Sequence, residues 1–231
     1  MLKILGIIPA RGGSKGVKNK NLKIINKKPL LYYTIKRAKQ SNLITHLIGS
    51  TENKKIKKFF LNSDVSVPFN RPSNLATDKS EIVDTVIYTL KKMEKIHRIK
   101  YDYICLLQPT SPKRSRGEID NCIKKIIKEK SDSLISICKI DEPHPFKLFK
   151  IYNKKISFFK SQLNKVTNRQ MLPNFFMASG NIYIVNRKTL IDKRSFFGKK
   201  KSYVIINYDN YLNINNAYDI ILAKNKLNDF N

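Results

Sequence analysis

The sequence predicts an α/β fold of three layers, in which a mainly parallel β-sheet lies between helices on both faces. The first observation behind this prediction is an alternation of two kinds of segment. Strand-like apolar runs occupy residues 3–8, 46–50, 102–108, 133–139, 180–185 and 202–206. Amphipathic helical runs occupy residues 30–41, 53–62, 80–97, 116–130 and 215–226. Such alternation is typical of parallel sheets whose strands are connected by helices.

The second observation is the size of the chain, 231 residues with 41% hydrophobic residues. This suits a single domain over residues 1–231 with a substantial core. The run 4–8 (ILGII) is continuously apolar, which favours a central buried strand over a signal peptide. No apolar run approaches the roughly 20 residues that a bilayer span requires. We therefore expect a cytoplasmic protein that makes no membrane contact.

The alternation lapses over residues 141–178, which carry prolines and aromatic side chains but no long helical pattern. We interpret this segment as an excursion from the core that includes an edge hairpin. An excursion of this kind is a candidate for contact between subunits.

The net charge of +29 raises the question of nucleic-acid binding. The lysines are spread along the whole chain, and in segments such as 54–60 they alternate with apolar residues at helical spacing, which indicates solvated helix faces. No nucleic-acid recognition motif accompanies the charge, so nucleic-acid binding is disfavoured. The three cysteines, Cys105, Cys122 and Cys138, are odd in number and widely spaced, which predicts buried free thiols.

A glycine-rich basic stretch, residues 7–21 (IIPARGGSKGVKNKN), follows the first predicted strand. Glycines allow backbone N–H groups to approach an anion, and Arg11, Lys15 and Lys20 are each able to reach a phosphate oxygen. The spacing fits neither the Walker pattern nor the dinucleotide pattern GxGxxG. The turn 50–53 (STEN) and the segment 108–112 (QPTSP) also follow predicted strands. Ligands of open parallel sheets bind beyond the carboxyl ends of the strands, so the three segments are expected to converge on one cleft.

The stretch 7–21 resembles the signature of the CMP-sialic acid synthetases, the acylneuraminate cytidylyltransferases. The resemblance continues in order along nearly the whole chain. It is carried by residues 28–38 (KPLLYYTIKRA), 50–53 (STEN), 71–80 (RPSNLATDKS), 106–114 (LLQPTSPKR), 144–147 (HPFK), 169–173 (RQMLP) and 179–185 (SGNIYIV). Several motifs in register are far more specific than any one of them.

This resemblance implies a Mg²⁺-dependent transfer of CMP from CTP to the anomeric hydroxyl of a nine-carbon 2-keto acid sugar, with release of pyrophosphate. It also implies a homodimer whose excursion, about 141–178, contributes to the partner's sugar site. The implied catalytic residues are Arg11, Lys15 and Lys20. The implied nucleotide-binding residues are Arg11, Gly12, Gly13, Ser14, Lys20, Asn21, Arg71, Ala76 and Asp78. The implied sugar-binding residues are Gln108, Thr110, Ser111, Lys147, Arg169, Gln170 and Ser179.

The chain departs from this family at the metal site. The family commonly has two aspartates, two residues apart, near its C-terminus, whereas this chain has Asn213 and Asn215 in the segment LNINN. An amide oxygen is able to ligate Mg²⁺ but brings no charge, so the substitution weakens the expected site. A second departure is Ser179-Gly180-Asn181, where the family more often has Asn-Gly-Ala.

Three alternatives remain open. The first is a cytidylyltransferase for another keto acid, namely legionaminic, pseudaminic or 3-deoxy-octulosonic acid. The second is a CTP-binding protein with little catalysis, which Asn213 and Asn215 suggest. The third is a basic nucleic-acid-binding protein. No histidine or acid near the motifs is placed as a strong dedicated base, so we expect none.

Overall fold

A computed structural model of the chain describes residues 2–13, 16–159, 172–228 and 230. The strands in these ranges are β1 Ile4–Pro9, β2 Ile24–Ile25, β3 Lys28–Pro29, β4 His46–Ser50, β5 Tyr103–Leu106, β6 Ser133–Ile140, β7 Phe149–Tyr152, β8 Lys155–Phe158, β9 Phe175–Asn186 and β10 Lys201–Ile206. The helices are α1 Leu30–Lys39, α2 Lys54–Leu61, α3 Ile82–His97, α4 Glu118–Glu129, α5 Arg187–Lys193 and α6 Ala217–Lys226.

The central sheet has six strands in the order β10-β6-β9-β5-β1-β4. β1 pairs in parallel with β4 and β5, and β10 pairs in parallel with β6. β9 runs antiparallel to both of its neighbours, β5 and β6. The prediction of a mainly parallel sheet is therefore confirmed, with β9 as its reversed strand.

Helices cover both faces of this sheet because the side chains of the buried strands alternate between the faces. From β1, Ile4 and Ile8 pack in a core with α1, α2 and α4. Leu5 and Ile7 of the same strand point the other way, into a core with α3 and Leu190 of α5. These two cores make the three-layer arrangement that the sequence predicts.

Helix α5 was not predicted. It is only seven residues long and rich in lysine, and it follows β9 without an intervening turn. Its one local signal is Asn186, whose side chain accepts a hydrogen bond from the N–H of Thr189 and caps the helix. A short capped helix of this kind carries too little apolar periodicity to be recognised from sequence.

The predicted excursion contains the hairpin of β7 and β8, which pair antiparallel. It presents large apolar side chains to solvent; among them, Ile151 is 75% and Ile156 is 67% exposed. The excursion ends earlier than predicted, because residues 175–178 already pair with β6 in the central sheet. Residues 160–171 lie outside the described ranges.

The predicted character of the cysteines is confirmed, since all three are free and buried. Burial raises the pKa of the Cys105 thiol to about 12, which makes this thiol unreactive at neutral pH. Of the helices in the described ranges, none combines the length and the apolar character needed to cross a bilayer.

Candidate nucleotide site

A cavity of about 360 Å³ opens at the carboxyl ends of β1 and β5. Two of the three predicted segments converge there, since residues of 7–21 and of 108–112 line it. The turn 50–53 lies behind the cavity wall and supports it. The predicted site residues that line the cavity are Arg11, Lys20, Asn21, Arg71, Asp78, Gln108 and Thr110.

Arg11 reaches across the cavity to the segment that precedes α3. Its Nη2 lies 2.6 Å from Oδ1 of Asp78, and its Nη1 donates to the carbonyl of Thr77 at 2.6 Å. The side chains of both charged residues remain partly accessible, at 32% for Arg11 and 40% for Asp78. An incoming anion therefore competes with Asp78 for a guanidinium that is already oriented.

Arg71 is the most buried cation of the cavity wall, with 5% of its surface exposed. Its guanidinium donates to both the carbonyl and the hydroxyl of Ser50, and its backbone N–H donates to the carbonyl of Thr51 at 3.0 Å. Burial lowers the pKa of Arg71 to about 10, and the nearby Glu52 carboxylate acts in the opposite direction. At neutral pH the site therefore has a fixed positive charge here.

Lys20 connects the glycine-rich stretch to the C-terminal segment. It is half-buried in the cavity wall, and its Nζ donates to the carbonyl of Ile214 at 2.9 Å. Burial and the positive charge of Arg11 hold the pKa of Lys20 below its usual range, with Asp219 acting in the opposite direction. An ammonium that is partly desolvated beside another cation gains from an anionic ligand.

The first glycine of the loop serves packing as well as ligand access. A Cβ on Gly12 would lie 2.5 Å from Nδ2 of Asn53, which is held in place because its Oδ1 caps α2. A Cβ on Gly13, by contrast, would have no other atom within 4 Å, because this glycine borders open space. Ser14 and Lys15 lie outside the described residues, so their predicted roles stay predictions.

The opposite wall of the cavity is held from beneath by Arg114, which is 1% exposed. This guanidinium donates to the carbonyls of Asn181 and Gln108 and to the hydroxyl of Thr34, at 2.8, 2.9 and 2.9 Å. Burial lowers its pKa to about 10, and the carboxylate of Glu118 acts in the opposite direction. Gln108 and the segment after it are therefore fixed to the sheet before any ligand arrives.

These features place three cations, Arg11, Lys20 and Arg71, around one cleft at the carboxyl edge of a parallel sheet. The sequence pattern of the cytidylyltransferase family matches residues 5–226 of this chain. The chain belongs to the cytidylyltransferase family. It is accordingly a nucleotidyltransferase, and the predicted family and enzyme class are confirmed.

Two curated relatives of this cytidylyltransferase are similar over most of their lengths. One, from Campylobacter coli, is named post-translational flagellin modification protein B and is 30% identical, with 97% of this chain and 94% of the relative covered. The other, from Legionella pneumophila, is named CMP-N,N'-diacetyllegionaminic acid synthase and is 31% identical, with 89% and 88% covered. A solved structure of CMP:2-keto-3-deoxy-manno-octonic acid synthetase with CTP has a TM-score of 0.70 at 14% identity and 97% coverage of both chains. This last likeness concerns the fold alone.

Several predicted sugar-binding residues of the cytidylyltransferase do not line the cavity. Ser111 and Ser179 are fully buried, and the Ser179 hydroxyl bonds to Ser136 at 2.7 Å, inside the sheet. Both serines therefore support the wall in this structure, because their hydroxyls do not face the ligand space. Lys147 pairs with Glu142 in the excursion, away from the cavity of its own chain. Arg169 and Gln170 lie outside the described residues.

Ala76, predicted to bind nucleotide, directly follows the 3₁₀ turn Ser73–Leu75, and its neighbour Leu75 lines the cavity. Asp78 does not begin α3, whose first residue is Ile82. Its position in the site is set by its pairing with Arg11.

The residues at the predicted metal position do not fit a Mg²⁺ site supplied by the protein. Oδ1 of Asn213 is buried and has no hydrogen-bond partner among the described residues, whereas Asn215 is exposed. Asp219 accepts from the N–H groups of Asn215 and Asn216 at 2.7 and 2.9 Å and completes the capping box of α6. Within the described ranges, no three His, Cys, Asp or Glu side chains group around a possible metal position. One uncharged amide oxygen is a weak substitute for the charged oxygen ligands that Mg²⁺ prefers.

Sequence reasoning missed two residues of this region. Arg114 belongs to the segment 106–114 but carried no assigned role, and its only signal was an arginine six residues after the end of a predicted buried strand. Glu52 belongs to the turn 50–53, and its signal was an acid beside a basic loop. Neither signal is specific, because burial of a charged side chain depends on the packing of distant segments.

Proposed function

We propose that this chain transfers CMP from CTP to the anomeric hydroxyl of a nine-carbon 2-keto acid sugar, a sialic acid or a close relative, and releases pyrophosphate. The observation that carries the proposal is the cleft of Arg11, Lys20 and Arg71 in a member of the cytidylyltransferase family. The name of the Legionella pneumophila relative supports a sugar of the nonulosonic class.

The chemistry required is displacement at the α-phosphorus by the sugar hydroxyl, which depends on positioning and charge neutralisation. Arg11 and Lys20 hold the triphosphate and offset the charge that develops on the leaving pyrophosphate. Arg71 adds a fixed positive charge on the nucleotide side. Gln108 and Thr110 form the wall against which the sugar lies. We assign no dedicated general base to the chain.

The exposed hairpin of β7 and β8 supports a homodimer, because its apolar side chains have large solvent-exposed surfaces. In this arrangement Lys147, Arg169 and Gln170 bind the sugar held by the partner subunit. Replacing Ile151 by Glu should give a monomer in light scattering, whereas Ile96→Glu, at a 50% exposed position on α3, should not. Mixed dimers of Lys147→Ala and Lys20→Ala should recover activity well above that of either homodimer. A monomeric but fully active Ile151→Glu protein would refute the shared site.

Mg²⁺ as the cofactor remains our proposal from sequence, with a restriction from the residues present. Since Asn213 and Asn215 supply no charge, the protein alone should bind the ion weakly. A cytoplasmic location, where CTP is made, fits the proposed reaction.

The test is pyrophosphate release from CTP in the presence of a panel of nonulosonic acids and 3-deoxy-octulosonic acid. We expect turnover with one nine-carbon acid and none when UTP or ATP replaces CTP. Turnover with 3-deoxy-octulosonic acid alone would refute the nine-carbon assignment. Calorimetric binding of CTP without any turnover would instead support the second candidate, a CTP-binding protein with little catalysis. Asn213 and Asn215, in place of the carboxylates common in the family, favour this candidate.

A further inference from the structure

The turn 50–53 holds two sides of the nucleotide cavity at once. On one side, Ser50 and Thr51 accept hydrogen bonds from Arg71. On the other, the Glu52 carboxylate accepts a hydrogen bond from the backbone N–H of Gly12, with 2.6 Å between N and Oε1. One turn therefore fixes the spacing between the glycine-rich loop and the most buried cation of the site.

The contact with Gly12 is short and charge-assisted, and it is partly shielded from water. The adjacent carbonyl, that of Arg11, accepts from the side-chain amide of Asn21 at 2.9 Å. The peptide group between Arg11 and Gly12 is thus held by a donor on one side and an acceptor on the other. Its N–H donates to Glu52, and the predicted nucleotide-binding role of Gly12 stays a prediction.

We propose that Glu52 is a positioning residue for the nucleotide: its carboxylate oxygen holds the Gly12 N–H and so sets the course of the loop that carries the triphosphate cations. This inference rests on the proposed function. The second carboxylate oxygen of Glu52, Oε2, is buried and has no hydrogen-bond partner among the described residues. Burying an unpaired carboxylate oxygen beside an anion site lowers the stability of the fold. The hydrogen bond that the other oxygen, Oε1, accepts from Gly12 gives this cost a reason.

In a competing interpretation, Glu52 occupies the Gly12 N–H only in the free protein, and a phosphate of the bound nucleotide displaces its carboxylate. The two interpretations predict opposite results for removal of the acceptor. Glu52→Gln keeps an acceptor oxygen and loses the charge, whereas Glu52→Ala loses both. The ratio between these variants therefore isolates the acceptor, because the charge is absent from both.

We would measure CTP binding by calorimetry and the KM for CTP and for the sugar. Glu52→Gln should bind CTP at least as tightly as the wild type, because a negative charge near the triphosphate is removed. Glu52→Ala should bind about tenfold more weakly than Glu52→Gln, because the N–H of Gly12 loses its partner. The loss should appear in the KM for CTP and leave the KM for the sugar unchanged.

Glu94→Ala is the matched control. Like Glu52, Glu94 accepts a hydrogen bond from a backbone N–H, that of Tyr101 at 3.3 Å, and it pairs with Arg187 at 2.7 Å. These contacts lie near the amino end of β5, away from the cavity at its carboxyl end. Its removal should lower the melting temperature without changing CTP affinity.

Equal CTP affinity of Glu52→Ala and Glu52→Gln, or tighter binding by Glu52→Ala, would overturn the positioning role. An equal loss of CTP affinity in Glu94→Ala would also overturn it, because the effect would then be general destabilisation. If the wild type binds no CTP, the proposed function itself fails, and this inference fails with it.

Discussion

Replacing Lys20 by methionine removes one positive charge from the cavity while keeping an unbranched side chain. In the free protein the ammonium makes a hydrogen bond to the carbonyl of Ile214 at 2.9 Å, so one of its three donors is used. The remaining donors are available to a phosphate oxygen on the cavity side. The substitution therefore removes a charged hydrogen bond at the position where pyrophosphate charge develops.

The expected loss follows from the strength of such a contact. A hydrogen bond to a charged group contributes about 1.5–3 kcal/mol, which corresponds to about a 10- to 150-fold fall in kcat/KM. The assay is initial-rate pyrophosphate release at limiting CTP. The loss of the bond to Ile214 should cost about 1 kcal/mol of folding stability, which urea unfolding measures separately.

Lys18→Met is the matched control, because Lys18 is an exposed lysine two residues earlier that does not line the cavity. It should keep near-normal kcat/KM. Near-normal turnover of Lys20→Met would refute the assigned role. A similar loss in both variants would also refute it, since the effect would then come from the net charge of +29 and not from one position.

The other predictions concern pH, metal and stability. CTP affinity should fall as pH rises toward 10, because the anion binds the protonated forms of Lys20 and Arg71. The pKa of Lys20 lies below its usual range, and the pKa of Arg71 is about 10. In calorimetry Lys20→Arg should extend CTP binding to higher pH, and a wild-type CTP affinity that does not change with pH would contradict this. Asn213→Asp combined with Asn215→Asp should bind Mg²⁺ more tightly than the wild type in calorimetry, because two adjacent carboxylates replace uncharged amides; no gain would show that these positions do not face a metal. Arg114→Met should lower the free energy of unfolding by about 2–4 kcal/mol, since the carbonyls of Gln108 and Asn181 lose the guanidinium that donates to them. A loss below about 1 kcal/mol in urea unfolding would refute the buried network.

Much of the fold follows from the sequence because apolar periodicity is a local signal. The alternation of residues 4–8 with the helical run 30–41 is visible without knowledge of the tertiary structure, and both segments form the expected elements. The direction of β9 could not be obtained this way. Its residues 182–185 (IYIV) are apolar in the manner of a central strand, and nothing local distinguishes parallel from antiparallel pairing.

The candidate site divides in a similar way. Arg11 and Lys20 belong to the stretch after the first strand, which the order of elements predicts to lie at the cleft. Arg71 was assigned to the site only through the resemblance of residues 71–80 to the family. The role of Glu52 could not be predicted, since it depends on a hydrogen bond across 40 positions of the chain. The burial of Ser179 was missed for the same reason, because its partner, Ser136, lies on a neighbouring strand 43 residues away.

The reversed strand β9 has a consequence for how this protein can diversify. Because β9 runs opposite to its neighbours, its first residue, Phe175, pairs with Ile140 at the end of β6, on the sheet edge where the cavity opens. The chain thus leaves the central sheet after Ile140 and re-enters it at Phe175, at the same end of the strands. An insertion or deletion between these two residues shifts the register of no strand pair in the central sheet. Under the proposed function, in which this segment contributes to the sugar site, acceptor preference is free to change through it while the cation cleft stays unchanged.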